Sequence, residues 1–255
     1  MTYKPTAKSY FSGAGGMDYG LKIAGVDILQ SYEIDSKCTN VLKKNFDHEI
    51  LESDIQNLTV KDQPESDIMI GTFPCTKYST AANIHGTRTG DVLFLHMFRH
   101  IALAKPEVYV IENVPGMKKF PIVMEALSKL PDYFVNIFCP LKTENWLPQR
   151  RDRLILIGSR KEMKINLPNT TRKSIRLKYI LEKDPQIDIP KYVANRLLGK
   201  GNYRDKPIIS DPNDINSIAP TCIAHYAKDR STRLVMDKNF KHGVRPYTPK
   251  EYARL

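Results

Sequence analysis

Two side chains with useful chemistry each lie at the end of a short apolar run. Cys75 follows residues 67–73 and Pro74, and Glu112 belongs to the run at residues 108–114. Short runs rich in Ile and Val are typical of strands buried in a parallel sheet. Because ligands bind at the carboxyl ends of such strands, Cys75 and Glu112 should face one crevice. The pattern therefore predicts a thiol nucleophile beside a carboxyl group.

Both residues also have a purely structural interpretation. A lone cysteine is usually a small buried hydrophobe, and a carboxyl at the position of Glu112 can cap the helix that follows it. The position of Cys75, after a proline and near Lys77, instead favours an accessible thiol with a pKa below its free value of about 8.5. We therefore keep Cys75 as the candidate nucleophile.

A glycine-rich turn, FSGAGG at residues 11–16, follows the first predicted strand and opens a helix. Its spacing differs from the GxGxxG of dinucleotide-binding proteins, which favours a smaller anionic group at the helix N-terminus, and a carboxylate fits. Glu33 ends the second strand, where an acid can accept hydrogen bonds from ribose hydroxyls. Asp54 follows the third strand and can accept from an adenine amino group. Each acid alone is more often a cap or a solvated turn, but together they predict an adenosine pocket.

Two arginines enter the last strand of the alternating region. Arg151 and Arg153 are two residues apart, so in a strand their side chains point to the same face. Guanidinium groups there could orient a carbonyl oxygen and the neighbouring carboxyls. The alternative is a solvated basic edge strand.

The elements around these residues alternate between strand and helix, which predicts a doubly wound α/β fold with a mostly parallel sheet. A short last connection predicts an antiparallel hairpin at the sheet edge. Residues 1–165 form the predicted catalytic domain, residues 166–244 a small, irregular, β-rich domain, and residues 245–255 the start of a return segment. The predicted strands cover residues 9–11, 28–34, 67–73, 107–113, 133–139 and 153–158, and the predicted helices residues 17–24, 36–45 and 92–104.

Composition narrows the class of protein. The 255 residues are 41% hydrophobic and 26% charged, which is ordinary for a globular protein. No apolar run reaches the roughly 18 residues of a membrane span, and the first residues lack the apolar core of a signal peptide, so we expect a cytoplasmic protein. The four cysteines form no CxxC pair, which predicts neither a disulfide framework nor a metal site.

The formal net charge of +11 is unevenly distributed. Residues 1–171 hold 21 Lys and Arg against 19 Asp and Glu, whereas residues 172–245 hold 16 against 8. A nearly neutral body followed by a basic segment predicts a polyanionic partner, bound mainly by the second part. A solvated basic surface is the alternative.

The order of these motifs resembles that of the cytosine-C5 DNA methyltransferases of bacterial modification systems. The similarity covers residues 9–160 densely and residues 245–255 again. It rests on six ordered motifs, which are FSGAGG, Glu33 with Asp54, Pro74-Cys75, Glu112-Asn113-Val114, Gln149-x-Arg151-x-Arg153 and the segment from Arg245 to Leu255.

The resemblance implies a methyl transfer from S-adenosylmethionine to C5 of a cytosine flipped out of double-stranded DNA. It implies that Cys75 attacks C6, that Glu112 contacts N3, and that Arg151 and Arg153 hold the base and the catalytic groups. The implied cofactor residues are Phe11, Gly13, Gly16, Glu33, Ile34, Asp54, Ile55, Pro74 and Leu93. Residues 166–244 occupy the region that recognises the target, and the candidate DNA contacts are Lys77, Ser79, Arg88, Arg196, Arg204, Arg230 and Arg233.

One departure from the family pattern concerns the end of the sequence. The family continues into a tenth motif that completes the cofactor pocket, whereas this sequence ends at Leu255. We therefore expect a partner chain that supplies the motif, a fragment of a longer protein, or weak cofactor binding. Two other functions stay open: a catalytically incomplete DNA-binding subunit, and a transfer-RNA methyltransferase, although the Cys-Phe-Thr signature of the latter is missing.

Overall fold

The computed structural model describes residues 3–74, 90–168, 175–200, 205–223, 226 and 228–255. The predicted site residues Cys75, Lys77, Ser79, Arg88 and Arg204 lie outside these ranges. The chain forms two compact units. Unit 1 comprises Met1–Leu141 with Asp152–Leu167, and unit 2 comprises Lys142–Arg151 with Pro168–Leu255.

Unit 1 is built on a twisted sheet in which seven strands fall within the described residues, in the order β3-β2-β1-β4-β5-β7-β6. The first five strands are parallel, and β7 is antiparallel to both of its neighbours. The strands are β1 (Thr6–Tyr10), β2 (Asp27–Glu33), β3 (Glu49–Glu52), β4 (Ile68–Gly71), β5 (Val108–Asn113), β6 (Phe134–Leu141) and β7 (Arg153–Ser159). The predicted doubly wound α/β fold and its antiparallel hairpin are confirmed.

Four helices of unit 1 connect these strands within the described ranges. They are α1 (Gly16–Ile23), α2 (Ser36–Asn45), α3 (Gly90–Ala104) and α4 (Pro121–Ser128). The Asp35 side chain accepts a hydrogen bond from the backbone N–H of Lys37 and so begins α2 at the predicted residue. The main apolar core includes Met97 and Ile101 of α3 and Leu127 of α4, together with Tyr109 and Ile111 of β5.

Unit 2 contains a three-stranded sheet in the order β10-β9-β8, which agrees with the prediction of a small β-rich part. Its elements are α5 (Lys191–Leu197), β8 (Ile208–Ser210), β9 (Arg233–Met236), β10 (Val244–Pro246) and α6 (Pro249–Arg254). Helix α6 begins with a capping box, in which Thr248 and Glu251 each accept the other's backbone N–H.

The boundaries of unit 2 differ from those predicted. Arg245 is only 1% exposed and forms 2.8 Å hydrogen bonds from both terminal nitrogens to the Glu251 carboxylate and from Nε to Asp237. Tyr247 packs into the same unit beside Leu177 and Val235. These buried contacts place residues 245–255 in unit 2, whereas the sequence predicts a return to the catalytic domain.

Candidate active site

The carboxyl edge of the parallel strands in unit 1 encloses a cavity of about 260 Å³. Residues that follow or end β1, β2, β3 and β4 line it, together with Leu93 of α3. This edge is where ligands bind in open α/β sheets. The lining residues are Tyr10, Phe11, Tyr32, Glu33, Ile34, Ser53, Asp54, Ile55, Gln56, Thr72, Pro74 and Leu93.

The backbone between β1 and α1 turns sharply beside this cavity. Phe11 and Gly13 have φ angles of +58° and +55°, and Gly15 has a φ of +89°. A Cβ atom on Gly15 would lie 2.5 Å from Cε2 of Phe46, so only glycine fits there. At a residue other than glycine, such as Phe11, a left-handed backbone conformation is strained. Strained backbone conformations of this kind are concentrated at ligand-binding and active sites.

The Glu33 carboxylate fastens this turn to the end of β2. Its Oε2 accepts the backbone N–H of Gly13 at 2.7 Å, and its Oε1 accepts those of Ile34 and Asp35 at 2.9 Å each. A carboxylate has about four acceptor positions. Three are filled in this way, so roughly one remains for a ligand hydroxyl.

The Asp54 carboxylate has a local partner at the end of β3. Its Oδ1 accepts the backbone N–H of Gln56 at 3.0 Å, and its Oδ2 accepts the side-chain amide of Gln56 at 3.3 Å. It therefore caps the short 3-10 helix Ile55–Asn57, as the structural alternative proposes. The same side chain also lines the cavity, and the two roles are compatible because Oδ2 has further acceptor capacity.

Seven of the nine predicted cofactor residues line the cavity. Gly13 contributes through its bond to Glu33, and Gly16 begins α1 without lining the cavity. The sequence does not single out Tyr10 and Tyr32, whose rings stack at 4.8 Å. Burial raises the pKa of both phenols, so they stay neutral. Both tyrosines lie at the ends of the first two strands, and this position is the sequence signal that could have identified them as cavity residues.

A buried polar network supports the turn from behind. The Asp18 carboxylate is fully buried and accepts hydrogen bonds from Ser9 at 3.0 Å and from Ser31. Ser31 also contacts His48 Nε2 at 2.7 Å, and Ser12 donates to the Ser9 backbone carbonyl at 3.1 Å. The network joins α1, β1 and β2 and so fixes the direction in which the turn leaves β1.

Glu112 lies at the carboxyl end of β5, the strand next to β4. Its Oε1 forms a salt bridge with Nε of Arg153 at 2.6 Å, and both side chains are mostly buried, with 21% and 15% of their surfaces exposed. Glu112 pairs across the sheet with Ile155 of β7, so the antiparallel hairpin brings Arg153 to it. A guanidinium held beside a carboxylate in a partly dry setting keeps that carboxylate in one orientation.

The chain just before Cys75 is tied to the same strand end. The Asn113 side-chain amide donates to the backbone carbonyl of Phe73 at 3.1 Å, and Thr72 donates to the carbonyl of Phe11 at 2.7 Å. Pro74 lines the cavity directly after this anchored segment. Strand β7 begins at Arg153, so Arg151 lies outside the strand, contrary to the geometry assumed for the pair.

The predicted DNA contacts in unit 2 differ in their surroundings. Arg196 is mostly buried, and it donates to Ser231 at 2.6 Å and to Asp229 at 2.8 Å, which favours a structural role. Arg230 and Arg233 are half-buried. A role in DNA binding stays a prediction for all three.

Comparison with known proteins identifies the family to which this chain is similar. The profile of the family described as C-5 cytosine-specific DNA methylase matches residues 6–255. The Type II methyltransferase M1.ScrFI of Lactococcus lactis subsp. cremoris is 30% identical, over 96% of this chain and 67% of the relative. The Type II methyltransferase M.Bsp6I of Bacillus sp. (strain RFL6) is 25% identical, over 95% of this chain and 84% of the relative. These comparisons do not support a second chain, which is one of the three possibilities that the sequence leaves open.

Solved structures share the fold. The Entamoeba histolytica methyltransferase EhMeth superposes with a TM-score of 0.78 at 18% identity, covering 98% of this chain and 85% of that one. The S. pombe Dnmt2 methyltransferase gives 0.77 at 17% identity, covering 99% and 86%.

Proposed function

This chain belongs to the C-5 cytosine-specific DNA methylase family and is a DNA cytosine-C5 methyltransferase, and we propose that its carboxyl-edge cavity binds S-adenosylmethionine. In this proposal the adenosine part lies between the strand ends, with Glu33 accepting from a ribose hydroxyl and Asp54 from the adenine amino group. The cavity of about 260 Å³ is near the lower end of ligand sites, and a nucleoside fits that size better than a dinucleotide does. When bound, this cofactor supplies the electrophilic methyl group.

The chemical step is assigned to Cys75, which follows β4 in the sequence, and to Glu112 of β5. The thiolate of Cys75 adds to C6 of a flipped cytosine, and Glu112 donates a proton or hydrogen bond to N3, so electron density moves to C5. C5 then takes the methyl group, a base removes the C5 proton, and the C6–S bond breaks to return the thiolate. Arg153 holds Glu112 toward the base, and Arg151 is assigned to the base itself.

The single observation that carries this proposal is the Glu112–Arg153 salt bridge at the edge that also forms the cavity. Glu112 lies near the carboxyl end of β5 and Arg153 begins β7, while Pro74, which follows β4, lines the cavity and precedes Cys75 in the sequence. Neighbouring parallel strands end at the same edge, so a base positioned between these ends would meet the acid and the thiol together.

DNA binding is assigned mainly to the basic unit 2. Residues 172–245 hold 16 Lys and Arg against 8 Asp and Glu, and phosphate neutralisation gives such a surface salt-dependent affinity. Arg196, Arg230 and Arg233 are the candidate contacts within the described residues, and the surroundings of Arg196 favour it least. The candidates from the sequence outside these residues are Lys77, Ser79, Arg88 and Arg204. The protein would act on DNA in the cytoplasm as the modification enzyme of a Type II system.

The test is transfer of tritiated methyl groups from S-adenosylmethionine to duplex DNA. Wild type should label cytosine C5, and Cys75→Ser should abolish labelling. Cys139→Ser, which changes a half-buried thiol of β6, serves as the matched control and should keep wild-type activity. A duplex with 5-fluorocytosine should trap the Cys75 adduct, because fluorine cannot leave as a proton does.

Three results would refute the proposal. Labelling that survives Cys75→Ser would exclude the covalent mechanism. Labelling of transfer RNA in preference to duplex DNA would reassign the substrate. Salt-sensitive DNA binding without measurable affinity for S-adenosylhomocysteine would instead indicate a catalytically incomplete subunit.

A further inference from the structure

A second and larger concavity lies at the opposite, amino-terminal edge of the same parallel strands. This Lys8 crevice has a volume of about 1120 Å³ and is formed by the starts of β1 and β5, the loop of residues 59–67, the end of α3 and Arg160 after β7. Its size is at the upper end of small-molecule sites. None of the residues assigned above to methyl transfer or to DNA contacts lines it.

Lys8 is a buried cation in the wall of this crevice. It is only 2% exposed, and in the described part of the chain its Nζ has one hydrogen bond, to Oε1 of Gln63 at 3.4 Å. A lysine ammonium has three donors, so two of them have no protein partner among the described residues. Burying a charge without a paired counter-charge is costly, and burial lowers the pKa of Lys8 to about 8.

The acids near Lys8 are largely engaged with other groups. Asp67 accepts the backbone N–H and the hydroxyl of Thr6, each at 2.7 Å, and Glu107 faces Arg160 at 3.9 Å. Glu65 is exposed at the rim and only partly offsets the burial of Lys8. Among the residues that the structure describes, none of the crevice carboxylates therefore forms a salt bridge with Lys8.

The remaining groups around Lys8 add positive charge or none. Arg99 of α3 lines the crevice and donates to the backbone carbonyls of Ile55 at 3.2 Å and Leu58 at 2.7 Å. His100 is fully buried, and its pKa falls to about 4 because of burial and the charge of Arg99, so it is neutral. The Tyr10 hydroxyl donates to the same Gln63 oxygen as Lys8.

The charges of the whole crevice favour an anion. The lining cations are Lys8, Lys61, Arg99, Lys105 and Arg160, and the lining acids are Glu65, Asp67 and Glu107. Apolar surface is also present, at Pro64, Leu103 and Pro106. A ligand that matches these walls has an anionic group toward Lys8 and a small organic body.

We propose that the Lys8 crevice binds a small oxyanion ligand, a molecule bearing a phosphate or carboxylate group that pairs with Lys8. The site is separate from the cofactor cavity because it lies at the other edge of the sheet, and it does not depend on the proposed function. Tyr10 connects the two sites, since it lines the cofactor cavity and its hydroxyl donates to Gln63, which lines the crevice.

The test measures binding of sulfate and of acetate to the intact protein by calorimetry, with chloride at equal ionic strength as the reference. Sulfate stands for a phosphate group and acetate for a carboxylate, so the better ligand identifies the class. We expect saturable binding of at least one, weakened at least tenfold by Lys8→Met. Lys44→Met, which removes an exposed lysine of α2, is the control and should bind as wild type does.

The pH dependence in the wild type gives a second measurement that needs no variant. Sulfate and acetate keep their charge between pH 7 and pH 9, whereas Lys8 loses its proton near pH 8. His100 stays neutral throughout this range, and the charged groups that face Lys8 from the neighbouring loop and helix are Glu65 and Arg99. Binding should therefore weaken at least fivefold as Lys8 loses its proton. The proposal would be overturned if neither Lys8→Met nor the change in pH weakened the binding of sulfate or acetate. It would also be overturned if chloride bound as tightly as these oxyanions.

Discussion

Substitution of Glu33 by glutamine tests the link between the glycine-rich turn and cofactor binding. The carboxylate accepts three backbone N–H groups, from Gly13 on one oxygen and from Ile34 and Asp35 on the other. An amide has one oxygen, and its NH2 group donates and cannot accept. In either orientation of the amide, Glu33→Gln leaves at least one of these N–H groups facing another donor.

The size of the effect follows from the number of unpaired donors. If the amide oxygen keeps Ile34 and Asp35, only the Gly13 N–H loses its partner, which costs about 1–3 kcal/mol. The ribose hydroxyl assigned to Glu33 also loses a charged acceptor. At 1.4 kcal/mol per factor of ten, we expect the dissociation constant for S-adenosylhomocysteine to rise about 10- to 100-fold.

Calorimetric titration with S-adenosylhomocysteine measures this directly. The control is Glu49→Gln, the same change at an exposed position of β3, where the carboxylate accepts only from the Gln30 side chain at 2.6 Å in the described structure. It should alter affinity by less than about twofold, because Glu49 does not line the cavity. If Glu33→Gln binds within twofold of wild type while remaining folded, the acceptor geometry of Glu33 is irrelevant to this site.

Three further predictions concern the acid, the buried histidine and unit 2. Arg153→Lys keeps the positive charge but loses the planar guanidinium donor that holds Glu112 at 2.6 Å. We expect kcat to fall at least tenfold while the affinity for S-adenosylhomocysteine stays unchanged. A single-turnover rate equal to that of wild type would contradict this prediction. His100 has a folded pKa of about 4, below its ordinary 6.5, so the unfolded chain takes up the proton first. The stability that neutral His100 contributes is present above pH 6.5 and is lost as the pH falls toward 4, by up to roughly 3 kcal/mol. Urea unfolding at pH 7 and at pH 4.5 measures this loss. Between these two pH values, the free energy of unfolding should fall less in His100→Gln than in wild type. Arg245→Met leaves the buried Glu251 carboxylate without its bidentate partner. In urea titrations, the free energy of unfolding should fall by about 3–5 kcal/mol. A decrease of less than about 1 kcal/mol would show that the ion pair is not essential for stability.

Local sequence patterns were sufficient for the elements and for much of the cavity. Apolar runs with polar ends predict β2, β4, β5 and β7 closely, and the glycine-rich turn and Glu33 are predicted at the strand ends where they occur. These features depend on the backbone preferences of adjacent residues and on the rule that parallel strands end at one edge. The backbone preferences and the strand-end rule both depend on residues that are close together in the sequence, so a single sequence is enough to apply them.

Contacts between distant segments required the folded chain. Glu112 meets Arg153 because β7 inserts between β5 and β6, and no local pattern specifies that strand order. Lysines are mostly exposed in folded proteins, yet packing between β1, α3 and the loop of residues 59–67 buries Lys8. Residues 245–255 join unit 2 because Arg245 finds Asp237 and Glu251 there. Burial and charge pairing depend on the summed packing of remote elements, which the order of residues along the chain does not display.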